Sequence, residues 1–181
     1  PRISGDGANA QTWPFPVLYK VVGGATPARV VLQNAEGLVD AFAGAANELV
    51  AAGADGITTS CGFLILHQQT LASACQVPVA TSSLMQVSAV QALLPPGRRV
   101  GVVTISRQAL TPQHLANAGA PLDTPIEGTE GGEFTRAILG DELSMDVDAA
   151  RNDVLAAGRR LLARHPEVGA FLWKRVFQPL V

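Results

Sequence analysis

Apolar positions along this chain fall into short continuous runs, separated by stretches in which they recur every three or four residues. The runs bounded by Gly or Pro read as buried strands, and the helical spacing reads as amphipathic helices. The first 33 residues are rich in Gly, Pro and Ala, and Trp13-Pro14-Phe15-Pro16 leads into Val17-Leu18-Tyr19-Lys20-Val21-Val22. This predicts a loop followed by one strand. From Asn34 as N-cap, Leu38, Phe42, Ala45, Ala46 and Leu49 recur at helical spacing until Gly53, which predicts a helix of about 18 residues. Residues 54–60 then predict a strand, 63–74 a helix, 77–80 a strand and 83–94 a helix, closed by the turn Pro95-Pro96-Gly97.

The clearest buried strand is Arg99-Val100-Gly101-Val102-Val103-Thr104. Thr111 and Pro112 open a helix through Ala118, with Thr as N-cap and Pro at the first helical position. A loop carrying Gly128, Gly131 and Gly132 precedes a short helix over 133–139. Asp146 caps the next helix, in which Val147, Ala150, Val154, Gly158, Leu161 and Leu162 share a face until His165-Pro166 ends it. Val168-Gly169-Ala170-Phe171-Leu172-Trp173 is a last buried strand. Strands alternating with helices at this spacing predict an α/β fold of parallel sheets flanked by helices. No low-complexity linker interrupts the pattern and no short-period repeat underlies it.

Composition changes this picture little: 48% hydrophobic and 15% charged residues are those of a globular chain. The net charge of -2 and pI near 5.9 offer no clustered cation for phosphate backbones, so no nucleic acid partner is expected. No apolar run reaches the roughly 18 residues that span a bilayer, so no membrane association is expected. The N-terminus lacks a basic region followed by an apolar stretch, so a leader is not expected and a cytoplasmic protein is. The two cysteines, Cys61 and Cys75, are read as thiols suited to a reducing compartment.

In such folds ligands bind beyond the carboxyl ends of the strands, where helix N-termini present backbone N–H groups. Thr58-Thr59-Ser60-Cys61-Gly62-Phe63 falls at such an end. A thiol there has a local reason to be acidic, and Gly62 lets the backbone approach a ligand closely. The residue pattern alone supports this reading and a small apolar filler equally, because unreactive cysteines are among the most buried residues. Cys75, late in a helix, reads as filler. Thr81-Ser82-Ser83 and Thr104-Ile105-Ser106 place further hydroxyls at strand ends, as pocket lining or as helix N-caps. His67, His114 and His165 lie on separate elements without ligand spacing, so no metal is expected. The glycine loop at 128–132 matches no nucleotide fingerprint.

Taken together, several stretches resemble the aspartate/glutamate racemase family, in the branch that holds hydantoin racemases and arylmalonate decarboxylases. They are Gly24-Ala25-Thr26-Pro27-Ala28-Arg29-Val30-Val31, the run from Gly56 through Cys61 to Phe63, Thr81-Ser82-Ser83-Leu84, Val100-Gly101-Val102-Val103-Thr104, Leu110-Thr111-Pro112-Gln113-His114-Leu115 and His165-Pro166-Glu167-Val168-Gly169-Ala170. The resemblance implies two Rossmann-like lobes related by a pseudo-twofold, here 1–95 with Cys61 and 96–181, with the active site in the cleft. It implies a cofactor-independent isomerase acting on a small carboxylate or hydantoin-like substrate, in which two opposed cysteines exchange the proton α to a carbonyl. Cys61 matches the first cysteine, with Ser60, Gly62, Phe63, Ser82 and Thr104 as substrate contacts.

The second cysteine is expected just after the last strand, where Arg175 stands instead. A guanidinium stays protonated and cannot act as a base. One thiol still permits one-sided proton transfer, including protonation after decarboxylation. A non-catalytic member that holds a carboxylate through Arg175 is the alternative from another functional class. Relative to the family, a strand before Pro1 and a strand and helix after Val181 are expected to be missing. The second lobe is thus expected to be truncated, with a homo-oligomer covering the exposed edges.

Overall fold

The Thr26-Pro27 pair starts the first helix of the computed structural model, which describes residues 6–173. Thr26 accepts a hydrogen bond from the Arg29 amide and Pro27 takes the first helical position, where its missing N–H costs nothing. Helix α1 spans Pro27–Leu32, and α2 spans Val39–Ala51. Between them Asn34, Ala35 and Gly37 adopt positive φ. Asn34 is therefore no N-cap: it belongs to the turn joining two helices, and α2 starts four residues later than the periodicity predicts, with Leu38 as its N-cap. His67 Nε2 donates to the Asn34 carbonyl at 2.8 Å, and the Arg29 guanidinium donates to the Glu36 carbonyl at 3.0 Å, so side chains hold this left-handed turn in place.

The strand expected over 17–22 does not form. Residues 17–22 pair with no strand among the described residues, and Leu18, Tyr19 and Val21 are exposed while Lys20 pairs with Glu48. An alternating apolar run becomes a strand only when a neighbour accepts its hydrogen bonds.

Strand β1 (Ile57–Thr58) and β2 (Val79–Ala80) pair in parallel, with Ile57 opposite Val79. Between them the chain runs through a 3₁₀ helix, Gly62–His67, and then α3, Gln68–Ala74. After β2 come a second 3₁₀ turn, Ser83–Gln86, and α4, Val87–Leu93. Both expected long helices thus begin as 3₁₀ segments.

The second sheet has the order β4-β3-β5, all parallel, from β3 (Arg99–Thr104), β4 (Ile126–Gly128) and β5 (Val168–Trp173). Helices α5 (Pro112–Asn117), α6 (Glu133–Leu139) and α7 (Val147–Arg164) complete the chain. With helices and two small parallel sheets, the protein is α/β. Its described residues divide into two compact units, 6–82 and 83–173. The division falls ahead of the expected 95/96 boundary, so α4 belongs to the second unit, where it packs on β3.

Within the second unit β3 is covered on both faces. Gly101 and Val103 point toward α7, while Val100, Val102 and Thr104 point the other way, and all are buried. A Cβ built at Gly101 would lie 2.7 Å from Leu161 and 3.3 Å from Val168, so the glycine sets how closely α7 approaches the strand. Val103, Ala157 and Leu161, all at 0% exposure, form the centre of this core, and Trp173 packs against them. The Trp173 ring meets Phe134 edge-on at 5.2 Å. Helix α7 is also tied to β4: Glu127, buried in the strand, accepts from Arg160 at 2.9 Å and Arg164 at 2.7 Å. Arg160 donates further to the Gly128 carbonyl at 2.8 Å.

At the opposite end of α6 from its C-cap, Glu133 accepts the Asp146 amide at 3.0 Å and pairs with Arg136 at 2.7 Å. The Asp146 amide first, and the guanidinium second, hold the Glu133 carboxyl below its ordinary value of 4.5. A depressed carboxyl contributes stability above the unfolded-state pKa and loses it as pH falls through the folded-state one. Glu133→Gln is therefore expected to lower stability at neutral pH and to converge with the parent as pH falls well below 4.5, so that its stability falls less steeply on acidification in urea melts run across pH. Gly101→Ala is expected to destabilise by about 1–3 kcal/mol in the same assay through overpacking, and Leu161→Ala in the same chain to relieve part of that penalty.

Candidate active site

Cys61 lies three residues beyond β1, at the carboxyl end of the two-stranded sheet, in extended conformation (φ -131°, ψ 109°) at the N-cap of the 3₁₀ helix. It is half-buried, between exposed Ser60 and buried Gly62 and Phe63. Both Cys61 and Cys75 are thiols. The α-helix expected directly behind Cys61 does not start there. The segment after Cys61 is six residues of 3₁₀ helix whose α-helical continuation starts only at Gln68, so peptide dipoles are less well aligned behind the thiol.

What surrounds Cys61 instead is a chain of side-chain hydrogen bonds. The Cys61 carbonyl accepts the Leu64 amide at 3.2 Å and lies 3.1 Å from the Thr59 hydroxyl. The single proton of that hydroxyl goes to the nearer Thr81 carbonyl at 2.9 Å, bridging the ends of β1 and β2. Thr81 is fully buried, and its amide and hydroxyl both donate to Gln68 Oε1, at 3.0 and 2.6 Å. Gln68 Nε2 donates in turn to the Val79 carbonyl at 2.8 Å. The amide orientation is fixed by chemistry, because a backbone N–H can only donate and a carbonyl can only accept. Gln68 thus clamps the last turn of β2 to the start of α3.

Gln68 and Thr59 were not among the residues singled out from sequence. The signal for Gln68 is its place in the row Leu64, Gln68, Leu71, where its neighbours are 2% and 3% exposed and it is the polar member of a buried face. Thr59 carried no signal beyond a hydroxyl near a strand end, since its role depends on Thr81, 22 residues away.

The other expected contacts divide. Ser82 is buried at 5% exposure, one residue beyond Thr81. Thr104 belongs to the other unit, at the end of β3; it is fully buried and its hydroxyl has no partner among the described residues. Such a hydroxyl is costly unless a water or ligand satisfies it. Arg175 lies outside the described residues. Cys75 is the C-cap of α3, where the chain turns toward the amino end of β2. It therefore sits at the end of this sheet layer opposite to Cys61.

Each histidine serves a local bond: His67 to Asn34, His114 to its own N-cap Thr111, and His165 to Glu167 at 3.2 Å. Among the described residues no group of three or more His, Cys, Asp or Glu could hold a metal ion. No helix there is long and apolar enough to cross a membrane. A shallow concavity of about 330 Å³ runs along Ile57, Thr58, Val79 and Ala80, short of Cys61. Compared with known proteins, the chain matches no protein-family model and no curated protein.

Replacing Gln68 by Leu removes three hydrogen bonds at once and leaves the buried Thr81 amide and hydroxyl without their acceptor. A loss of about 1–3 kcal/mol is expected in the urea midpoint of Gln68→Leu. Deuterium exchange at the Thr81 amide should accelerate beyond that of the β3 amides, which localises the effect to this clamp.

Proposed function

We propose that the chain is a cofactor-independent isomerase-type enzyme of the aspartate/glutamate racemase kind. It acts at the carbon α to a carboxylate or hydantoin carbonyl, with Cys61 as the acid/base. The observation that carries this reading is Cys61 itself, a half-buried thiol at the carboxyl end of a parallel sheet, next to exposed Ser60 in the chain. In the forward step the Cys61 thiolate takes the α-proton. The electron pair of the C–H bond moves into the adjacent carbonyl, and hydroxyl and amide donors stabilise the resulting oxyanion. Solvent protonates the opposite face of the carbanion and takes up the Cys61 proton, which completes the isomerisation and restores the thiolate; return of the proton from Cys61 itself restores the starting configuration. A thiol base also suits a reducing compartment, so this reading includes a cytoplasmic location.

The position of Cys75 favours a second reading of the same site. Two-sided racemisation needs an acid on the far face of the substrate carbon, and Cys75 sits at the other end of the sheet layer. A single thiol suffices for decarboxylation of a malonate: the C–C bond breaks, carbon dioxide leaves its electron pair on carbon, and the Cys61 thiol protonates that carbanion on one face.

The test is NMR of amino acids, hydantoins and malonates incubated with the protein in deuterated water. Loss of the α-proton signal is expected, slowed by about 10²–10⁴-fold in Cys61→Ala. A malonate that yields one enantiomer, without α-proton exchange of the amino acids, selects the decarboxylase form. Absence of turnover across the panel, or turnover indifferent to Cys61→Ala, refutes both. A ligand-dependent rise in melting temperature would then identify a carboxylate-binding protein.

A further inference from the structure

We infer that the second unit carries a separate ligand site along the open edge of β4, suited to a small carboxylate whose α-nitrogen is part of an amide. That is the chemistry of an N-acylated apolar amino acid. The site is a shallow groove of about 450 Å³ whose lining includes Arg107, Leu110, Asp123, Pro125, Ile126 and His165. All of these belong to residues 83–173, so the groove is independent of Cys61 and of the reaction proposed there. Its volume is that of an ordinary small-molecule site.

Three features define the ligand. The first is backbone. Strand β4 lies at the edge of the order β4-β3-β5. The Val102 amide donates to the Pro125 carbonyl at 2.8 Å and the Thr129 amide to the Thr104 carbonyl at 3.0 Å. Residues 125, 127 and 129 thus turn their main-chain groups toward β3, and the alternate residues, Ile126 and Gly128, turn theirs toward the open edge. The Gly128 carbonyl is taken by Arg160 at 2.8 Å, and Pro125 has no N–H to offer. Ile126 is therefore the groove residue that presents both an N–H and a C=O outward, the pair that an extended amide matches when it lies along a sheet edge.

The second feature is charge. Arg107 lies three residues beyond β3 and is exposed, and among the described residues its guanidinium meets no hydrogen-bond or ion-pair partner. Its own amide donates to the Glu130 carboxylate, which fixes the base of the side chain, and Glu130 does not line the groove. The other titratable groups of the lining are engaged: Asp123 with Arg99 at 2.9 Å, and His165 with Glu167 at 3.2 Å. The groove is left with an uncommitted guanidinium, whose planar fork takes a carboxylate through two parallel N–H···O bonds. The third feature is an apolar floor, since Leu110 is 5% exposed, Pro125 is buried and Ile126 is half-buried. Carboxylate, amide and apolar side chain are thus each answered by a different part of one groove.

The test is a titration of the isotope-labelled protein with N-acetyl-leucine, followed by NMR of the backbone amides. Saturable shifts are expected at Ile126 and Leu110, with a dissociation constant of about 1 mM for so small a ligand. Two further probes use the unaltered protein. N-acetyl-leucinamide removes the charge and isocaproate removes the amide, and each is expected to bind about ten-fold more weakly. Arg107→Gln should weaken N-acetyl-leucine by about the same factor, and Arg159→Gln, at an exposed arginine of α7 outside the groove, should leave it unchanged. Absence of a saturable shift at Ile126 at millimolar concentrations overturns the site, as do shifts confined to residues 58–63. Equal affinity for the leucinamide, or in Arg107→Gln, overturns the role of the guanidinium, and equal affinity for isocaproate overturns the pairing with Ile126.

Discussion

The first unit depends on a shortage of backbone pairing. Strands β1 and β2 contribute two residues each, and a pair this short is at best marginal without further packing or bonding. Side chains make up the difference. Thr58 and Thr59 each donate from β1 or its end to a carbonyl of β2 or its end, and Gln68 takes both donors of Thr81 while donating to Val79. These bonds cross the same gap that ladder bonds would cross, and they converge on the strand ends next to Cys61. The order of this corner thus comes from four polar side chains rather than from sheet length.

The second unit solves the same problem in the ordinary way. Its central strand β3 has six residues, neighbours on both sides and helices over both faces. Gly101 lets Leu161 come close, and the Glu127 carboxylate draws two arginines of α7 onto β4. The arginines are 43% and 58% exposed, so water screens them and their contribution is mainly to register. Apolar contact between α7 and β3 supplies most of the cohesion there, and a glycine rather than a bulky residue at 101 is what admits it.

That contrast explains what the sequence could disclose. Strand β3 and helices α6 and α7 lie where periodicity puts them, because each buries a face and its apolar pattern records that burial; β5 also forms where expected, but of its residues only Val168 is buried and Phe171 is exposed. Strand β4 was missed: with Glu127 at its centre and glycine at its end, it carries no apolar run, and its place is set by arginines from another element. In the first unit the pattern misled twice. Residues 17–22 are an apolar run like a strand yet join no sheet among the described residues, and Asn34 resembles a cap yet sits in a left-handed turn stabilised by His67 and Arg29. Helix α1 opens on Thr26-Pro27 as α5 opens on Thr111-Pro112, but it lies inside a Gly- and Pro-rich stretch that reads as loop. Cys61 was legible as a strand-end thiol because that inference is local. The hydrogen bonds around it were not, because Thr59, Gln68 and Thr81 meet only in three dimensions.

The location of the two thiols has a stereochemical consequence for any proton transfer at Cys61. A lone thiol that removes a proton from carbon can return one only from the same side, because its sulfur cannot reach the opposite face. Deuterium delivered by the thiol enters with retention of configuration, and inversion falls to solvent, since Cys75 lies at the far end of the sheet layer. Exchange that outruns racemisation is therefore the signature that separates a one-thiol site from a two-thiol site. In a prochiral malonate the same geometry yields a single enantiomer, since only one face of the carbanion meets an acid. Rigidity at Cys61 matters most in that case: a peptide free to rotate would present the thiol to both faces, and the selectivity would go with it.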